Sequence, residues 1–114
     1  MLAYTIRASI KDADGFKAIA SEISAQVEAD EPGTQAYQWF LSRDGSSGMI
    51  YEQFENSEAF LTHLGNLEPV IERFMATLDI EGVFAFGEID DAAKAALDGF
   101  GAVYGDMVAG FMRG

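Results

Sequence analysis

Apolar side chains fall on every second position at the start of the chain. Leu2, Tyr4, Ile6, Ala8 and Ile10 alternate with Ala3, Thr5, Arg7 and Ser9, and a period of two marks a strand with opposed faces. The spacing then changes. Phe16, Ile19, Ala20, Ile23 and Val27 recur at helical intervals and make one stripe, with Asp12 or Asp14 placed to cap the free amides ahead of it. Glu31-Pro32-Gly33-Thr34 stops that helix and turns the chain. A second strand follows through about Ser42, with Tyr37, Trp39 and Leu41 on one face and Ala36 and Phe40 on the other. Arg43 to Gly48 has the composition of a turn, and Met49 to Phe54 alternates again, which predicts an antiparallel hairpin.

Asn56-Ser57 begins a second helix whose stripe is Phe60, Leu64, Leu67, Ile71, Phe74 and Leu78. Pro69 interrupts it, because proline lacks an amide donor and clashes with the preceding turn, so two helical pieces are expected. Ile80 to Glu88 reads as a fourth strand, with Ile80, Gly82, Phe84 and Phe86 on one side and Val83 and Ala85 on the other. The order βαββαβ predicts a ferredoxin-like α+β domain over residues 1–88, a four-stranded antiparallel sheet with both helices on one face. Residues 89–114 add a short helix from Asp91 to about Leu97 and an apolar tail, expected to pack on the same domain or on a partner. Strands apolar on both faces need a cover for the face the helices leave open, so the expected assembly is a homodimer.

A chain of 114 residues forms one domain. Nineteen acidic against seven basic residues give a formal charge of -12, a field that repels nucleic acid and anionic membranes. No apolar run approaches the roughly 18 residues that span a bilayer, and the N-terminus reads as a strand and not as a signal peptide. With no Cys there is no disulfide framework, thiolate metal site or cysteine nucleophile, and the cytoplasm is the default location.

Three local patterns carry a resemblance. They are Glu31-Pro32-Gly33-Thr34 entering an aromatic strand, Ile50-Tyr51-Glu52-Gln53-Phe54 on the next, and Asn56-Ser57-Glu58-Ala59-Phe60-Leu61-Thr62-His63-Leu64 opening the second helix. Together with the order of elements over residues 2–88, they resemble the antibiotic biosynthesis monooxygenase superfamily. The resemblance implies a dimeric α+β barrel in which two ferredoxin-like subunits pack sheet against sheet. It also implies a cavity between helices and sheet where a small electron-rich aromatic, a hydroquinone or polycyclic phenol, is oxidised by dioxygen without a cofactor. A non-catalytic ligand-binding or interaction protein of the same fold is the alternative. His63 matches the helix histidine of some monooxygenases. The haem-degrading branch pairs that histidine with a tryptophan on the same helix and an asparagine on the first strand, and neither is present here.

Of the candidate residues, His63 is the only histidine, and its ordinary pKa suits a base that removes a phenolic proton. A half-buried histidine tied to a backbone carbonyl or to Glu52 is the competing reading. Glu52 lies mid-strand on the side of Ile50 and Phe54. If buried there it needs a partner, His63, Arg7 or Arg73, and joins His63 as the second catalytic candidate. Trp39, Tyr37, Tyr51, Phe60 and Phe74 are candidates for a ring-binding pocket, or else are core and interface packing. Asn66, near the helix break, is placed to bind a substrate oxygen or to cap a helix. No cluster has the residue types of a metal site.

Overall fold

Asp12 opens the first helix by accepting a 3.0 Å hydrogen bond from the Gly15 amide. The computed structural model describes residues 1–114. Strand β1 (Leu2–Ile10) leads into helix α1 (Ala13–Asp30), whose buried stripe is Phe16, Ile19, Ile23 and Val27. Strands β2 (Thr34–Leu41) and β3 (Ser47–Phe54) form the hairpin. Its turn is held by the Asp44 carboxylate, which accepts from the Ser46 amide and from the hydroxyls of Ser46 and Ser42. Those bonds keep the Asp44 carboxyl at about 2. Asn56 caps helix α2 (Ser57–Leu67). A single 3₁₀ turn over Glu68–Val70, with Pro69 inside it, then redirects the chain into helix α3 (Ile71–Met75). Strand β4 (Leu78–Gly87), helix α4 (Asp91–Gly99) and strand β5 (Val103–Gly105) complete the chain.

The sheet order is β2-β3-β1-β4-β5. The pairs among the first four strands are antiparallel, and the helices lie on one face, as the ferredoxin-like pattern requires. Two details correct the expectation from sequence. The sheet has five strands and not four, because the chain returns after α4 and lays Val103–Gly105 parallel to β4. Gly105 permits this: the Phe84 ring lies where a Cβ at that position would sit. Second, Ile80 faces the core and not the side of Phe84. Arg7 pairs with Gly82 while Ala8 pairs with Ile80, so Glu81 is an extra, unpaired residue and the alternation slips by one.

Helix α4 packs against α2, and the Tyr104 hydroxyl on β5 donates to Asp98 Oδ1 of α4 at 2.6 Å. Beyond β5, Met107, Val108, Phe111 and Met112 are 78–98% exposed in the single chain.

The core falls into two halves under the helices. One gathers Leu2, Tyr4, Phe54, Phe60, Val83 and Leu97, and the other Phe16, Ile19, Ile23, Ile50, Phe74 and Leu78. Full burial of a side chain such as Phe60 or Ile23 contributes about 1.5–3 kcal/mol. The opposite face of the sheet carries Phe40, Met49 and Phe84, each about half exposed. No helix is long and apolar enough to cross a membrane.

Candidate functional site

Strand register sets the floor of the site. Tyr4 on β1 is paired with Glu52 on β3, and Glu52 with Tyr37 on β2, so the three stand side by side on the face under the helices. A carboxylate buried there needs partners, since an unpaired charge in an apolar interior costs many kcal/mol. Glu52, 3% exposed, has two. Its Oε1 accepts a 2.6 Å hydrogen bond from the Tyr4 hydroxyl and lies 3.1 Å from His63 Nε2. The second contact is within ion-pair range, although the ring N–H is poorly aligned on the oxygen. Glu52 Oε2 has no hydrogen-bond or ion-pair partner in the chain, and Glu52 lines a cavity.

His63 is brought in from above by α2 and is fully buried. Its ring sits between Tyr37 and Phe54, with centroids 5.1 and 5.3 Å away. On the far side, Nδ1 meets Glu31 Oε1 at 2.8 Å. Glu31 closes the end of α1, its amide bonded to the Val27 carbonyl, and the Pro32-Gly33 turn folds its side chain back under α2. There Thr34 Oγ1 donates to Glu31 Oε1 at 2.9 Å and Asn66 Nδ2 donates to Oε2 at 3.2 Å. The result is one continuous polar thread, Tyr4–Glu52–His63–Glu31, through an otherwise apolar interior.

Burial is the largest single influence on His63 and works to lower its pKa. The carboxylates of Glu52 and Glu31 together outweigh it and leave the imidazole pKa raised. With the ring protonated, two carboxylates and one imidazolium leave the thread one negative charge in excess. Burial, then the Glu52 charge, pushes the Tyr4 hydroxyl well above its ordinary value, and the same causes raise Tyr37. Both phenols therefore stay neutral, and Tyr4 donates to Glu52.

Beside Glu52 lies a cavity of about 300 Å³ between the sheet and the α2–α3 and α4 segments, at the lower end of the range for ligand pockets. Eighteen residues line it, and only Glu52 and Glu68 among them are charged. Glu68, Met75 and Phe100 are exposed and form its rim, so Glu52 is the one ionisable carboxylate inside. The helix break at Pro69 shapes the roof, where Leu67, Val70, Ile71 and Phe74 turn downward from different segments. On the other side of the thread, a polar cleft of about 260 Å³ is lined by Glu31, Thr34, Glu55, Asn56 and Thr62.

The candidates read from sequence are therefore divided. Trp39, Tyr37, Phe74 and Glu52 line the cavity. Trp39 packs edge-on against Phe74 at 5.5 Å, and its indole N–H has no hydrogen-bond partner. His63 stands behind Glu52 and does not line the cavity. Phe60 is fully buried against Tyr4 and Phe54, outside the cavity wall. Asn66 bonds Glu31 and is not in the wall either. Tyr51 lies on the opposite face of the sheet, since it is one residue from Glu52 and side chains alternate; its hydroxyl donates to Gln53 at 2.7 Å.

Glu31 and Tyr4 complete the thread, although their sequence context does not single them out for chemistry. For Tyr4 a signal is present, because a tyrosine on the inward side of an apolar alternation needs an acceptor for its hydroxyl. Glu31 gives only the signature of a helix stop. Its role depends on contacts 32 and 35 residues away, to His63 and Asn66.

Comparison with known proteins agrees with this fold. The model of the family described as antibiotic biosynthesis monooxygenase matches residues 1–77. No curated protein matches the sequence significantly. Among solved structures, MupZ from Pseudomonas fluorescens is similar with a TM-score of 0.76 and 17% identity, over 98% of this chain and 93% of that one. SnoaB, a cofactor-independent oxygenase from Streptomyces nogalater, is similar with a TM-score of 0.65 and 17% identity, over 78% and 93%. A conserved protein from Methanosarcina mazei Go1 has a TM-score of 0.64 at 11% identity, over 74% and 88%. At such identities the likeness is one of fold. The family match, spanning well over half of the sequence, makes this chain a member of the antibiotic biosynthesis monooxygenase family.

Proposed function

We propose that this protein is a cofactor-independent monooxygenase that oxidises a small electron-rich aromatic, a hydroquinone or polycyclic phenol, with dioxygen. One observation carries the reading. An apolar, aromatic-walled cavity is lined by a single interior carboxylate, Glu52, which has one oxygen unpaired and an imidazole against the other. Trp39, Tyr37 and Phe74 offer ring contact. Glu52 Oε2 takes the phenolic proton, which cancels the excess negative charge of the thread, and His63 holds Glu52 in place from behind.

The phenolate then passes one electron to dioxygen. The radical pair joins at a hydrogen-bearing ring carbon, para to the phenolate oxygen in a polycyclic phenol and ortho to it in a hydroquinone, and the peroxide so formed loses water to give the quinone. One oxygen atom ends on that carbon. The other leaves as water with the hydrogen of the carbon and the proton that Glu52 had stored. Water exclusion by the apolar walls protects the intermediates. The working unit in this proposal is a homodimer that buries Phe40, Met49 and Phe84 on the open face of the sheet.

The test is oxygen uptake with a panel of hydroquinones and anthrone-like phenols. Wild type consumes oxygen and yields quinone, and Glu52→Gln slows turnover by about 10²–10⁴-fold, the usual contribution of a general base. No uptake by wild type, or full turnover by Glu52→Gln, contradicts the proposal. The placement of His63 away from the cavity wall favours the second reading, a binding protein without turnover. That reading predicts an aromatic ligand retained unchanged through purification, visible in native mass spectra.

A further inference from the structure

His63 bridges two spaces that do not otherwise meet. Nε2 faces Glu52 and the apolar cavity, while Nδ1 faces Glu31 and the polar cleft. When a ligand fills the cavity, Glu52 and the Nε2 side of the ring are cut off from water by apolar walls. The Nδ1 side is not. Glu31 Oε1 is bonded to Thr34 Oγ1, and both residues border the cleft.

We propose that Glu31 is the solvent port of the site: His63 takes on and gives up its proton at Nδ1 through Glu31 and the Thr34 hydroxyl to water in the polar cleft. The charge of the thread then follows the solvent even with the cavity occupied. Glu31 is thus a positioning residue for the reaction proposed above, on which the functional part of this inference rests.

The proton balance is simple. When a ligand O–H bond breaks and a Glu52 O–H bond forms, the His63 Nδ1–H proton leaves through Glu31. The thread returns to one excess negative charge and one proton reaches the cleft. When Glu52 later gives its proton to the departing oxygen, Nδ1 is reprotonated by the same route. A general base that had only its ligand to exchange with would lack this reset. The groups that face the ring are Glu31 at the end of α1, Tyr37 on β2 and Glu52 on β3, with Tyr4 on β1 acting through Glu52 and Asn66 on α2 through Glu31.

The experiment exploits the single histidine, which gives one imidazole signal set in ¹⁵N-labelled protein. On titration of the wild type with benzene saturating the cavity, which closes the Nε2 side, the ring nitrogens move as exchange-averaged signals, because protonation through the port is fast. In Glu31→Gln, and more mildly in Thr34→Val, exchange slows at least tenfold and separate signals for charged and neutral rings appear, while Glu31→Asp restores averaging. Thr34→Val decides between the outcomes if Glu31→Gln does not fold. Equal exchange rates in wild type and the tested variant overturn the port, whatever oxygen uptake shows. In the turnover arm, Glu31→Gln lowers kcat about tenfold with KM within twofold. Unchanged kcat there also overturns it. Absence of uptake by wild type instead rejects the oxygenase reading and leaves the exchange measurement to judge the port.

Discussion

Glu31 and Glu52 are the same residue type, equally buried at 5% and 3%, and both touch the same imidazole, yet their surroundings differ. Glu31 accepts from Thr34, His63 and Asn66, using both oxygens, and borders a polar cleft. Glu52 has Tyr4 and His63 on one oxygen, with the other unpaired, and lines an apolar cavity. The lesson is that a buried carboxylate is tied to its neighbours or left open to a ligand by how many of its lone pairs the fold satisfies. Glu31 has both oxygens bonded and anchors the ring on the side of the polar cleft. Glu52 is left one oxygen short, beside the cavity.

The contrast can be broken most strongly from the Glu31 side. Glu31→Ala strips His63 of one counter-charge and leaves Asn66 and Thr34 without their acceptor. A loss of about 3–5 kcal/mol is expected, as when one member of a buried ion pair is removed. Urea unfolding measures it, and a loss below about 1 kcal/mol shows that Glu31 is not the anchor. Tyr4→Phe acts on the Glu52 side and is milder. It removes one hydrogen bond to a charged group and keeps the ring packed on Phe54 and Phe60, so about 1.5–3 kcal/mol is expected in the same assay. Deleting residues 106–114 sharpens the picture by contrast. Their apolar side chains are exposed in the chain, so the deletion changes stability by no more than about 0.5 kcal/mol. A larger loss reveals a partner surface for the tail.

Much of this architecture is written locally. Asp12, Asn56 and Asp90 cap their helices through their own side chains, and Pro69 breaks the long stripe where it stands. Alternation in β1, β2 and β3 also marks the inward residues, Glu52, Tyr37 and Trp39 among them. What escapes depends on distant partners. The slip at Glu81 is forced by pairing with β1, and β5 exists only because β4 offers an edge beside Phe84. The same holds for the site. A lone histidine and a mid-strand glutamate suggest each other, but Glu31 joins them through a fold-back across 32 residues that no spacing rule encodes.

The titration of His63 tests the central claim most directly, namely that two carboxylates overcome burial and raise the pKa of the ring behind the cavity. The pH sense is fixed by the direction of the shift. A histidine with a raised folded-state pKa adds stability that is complete below its unfolded value, near 6.5, and that is lost as pH rises through the folded-state value. Titration of the single imidazole by NMR, run beside thermal melts, reads both quantities. The account predicts a midpoint above 6.5 and a melting temperature that falls with rising pH across that interval in wild type, and not in His63→Gln. A midpoint below 6.5, the outcome if burial prevailed, contradicts it.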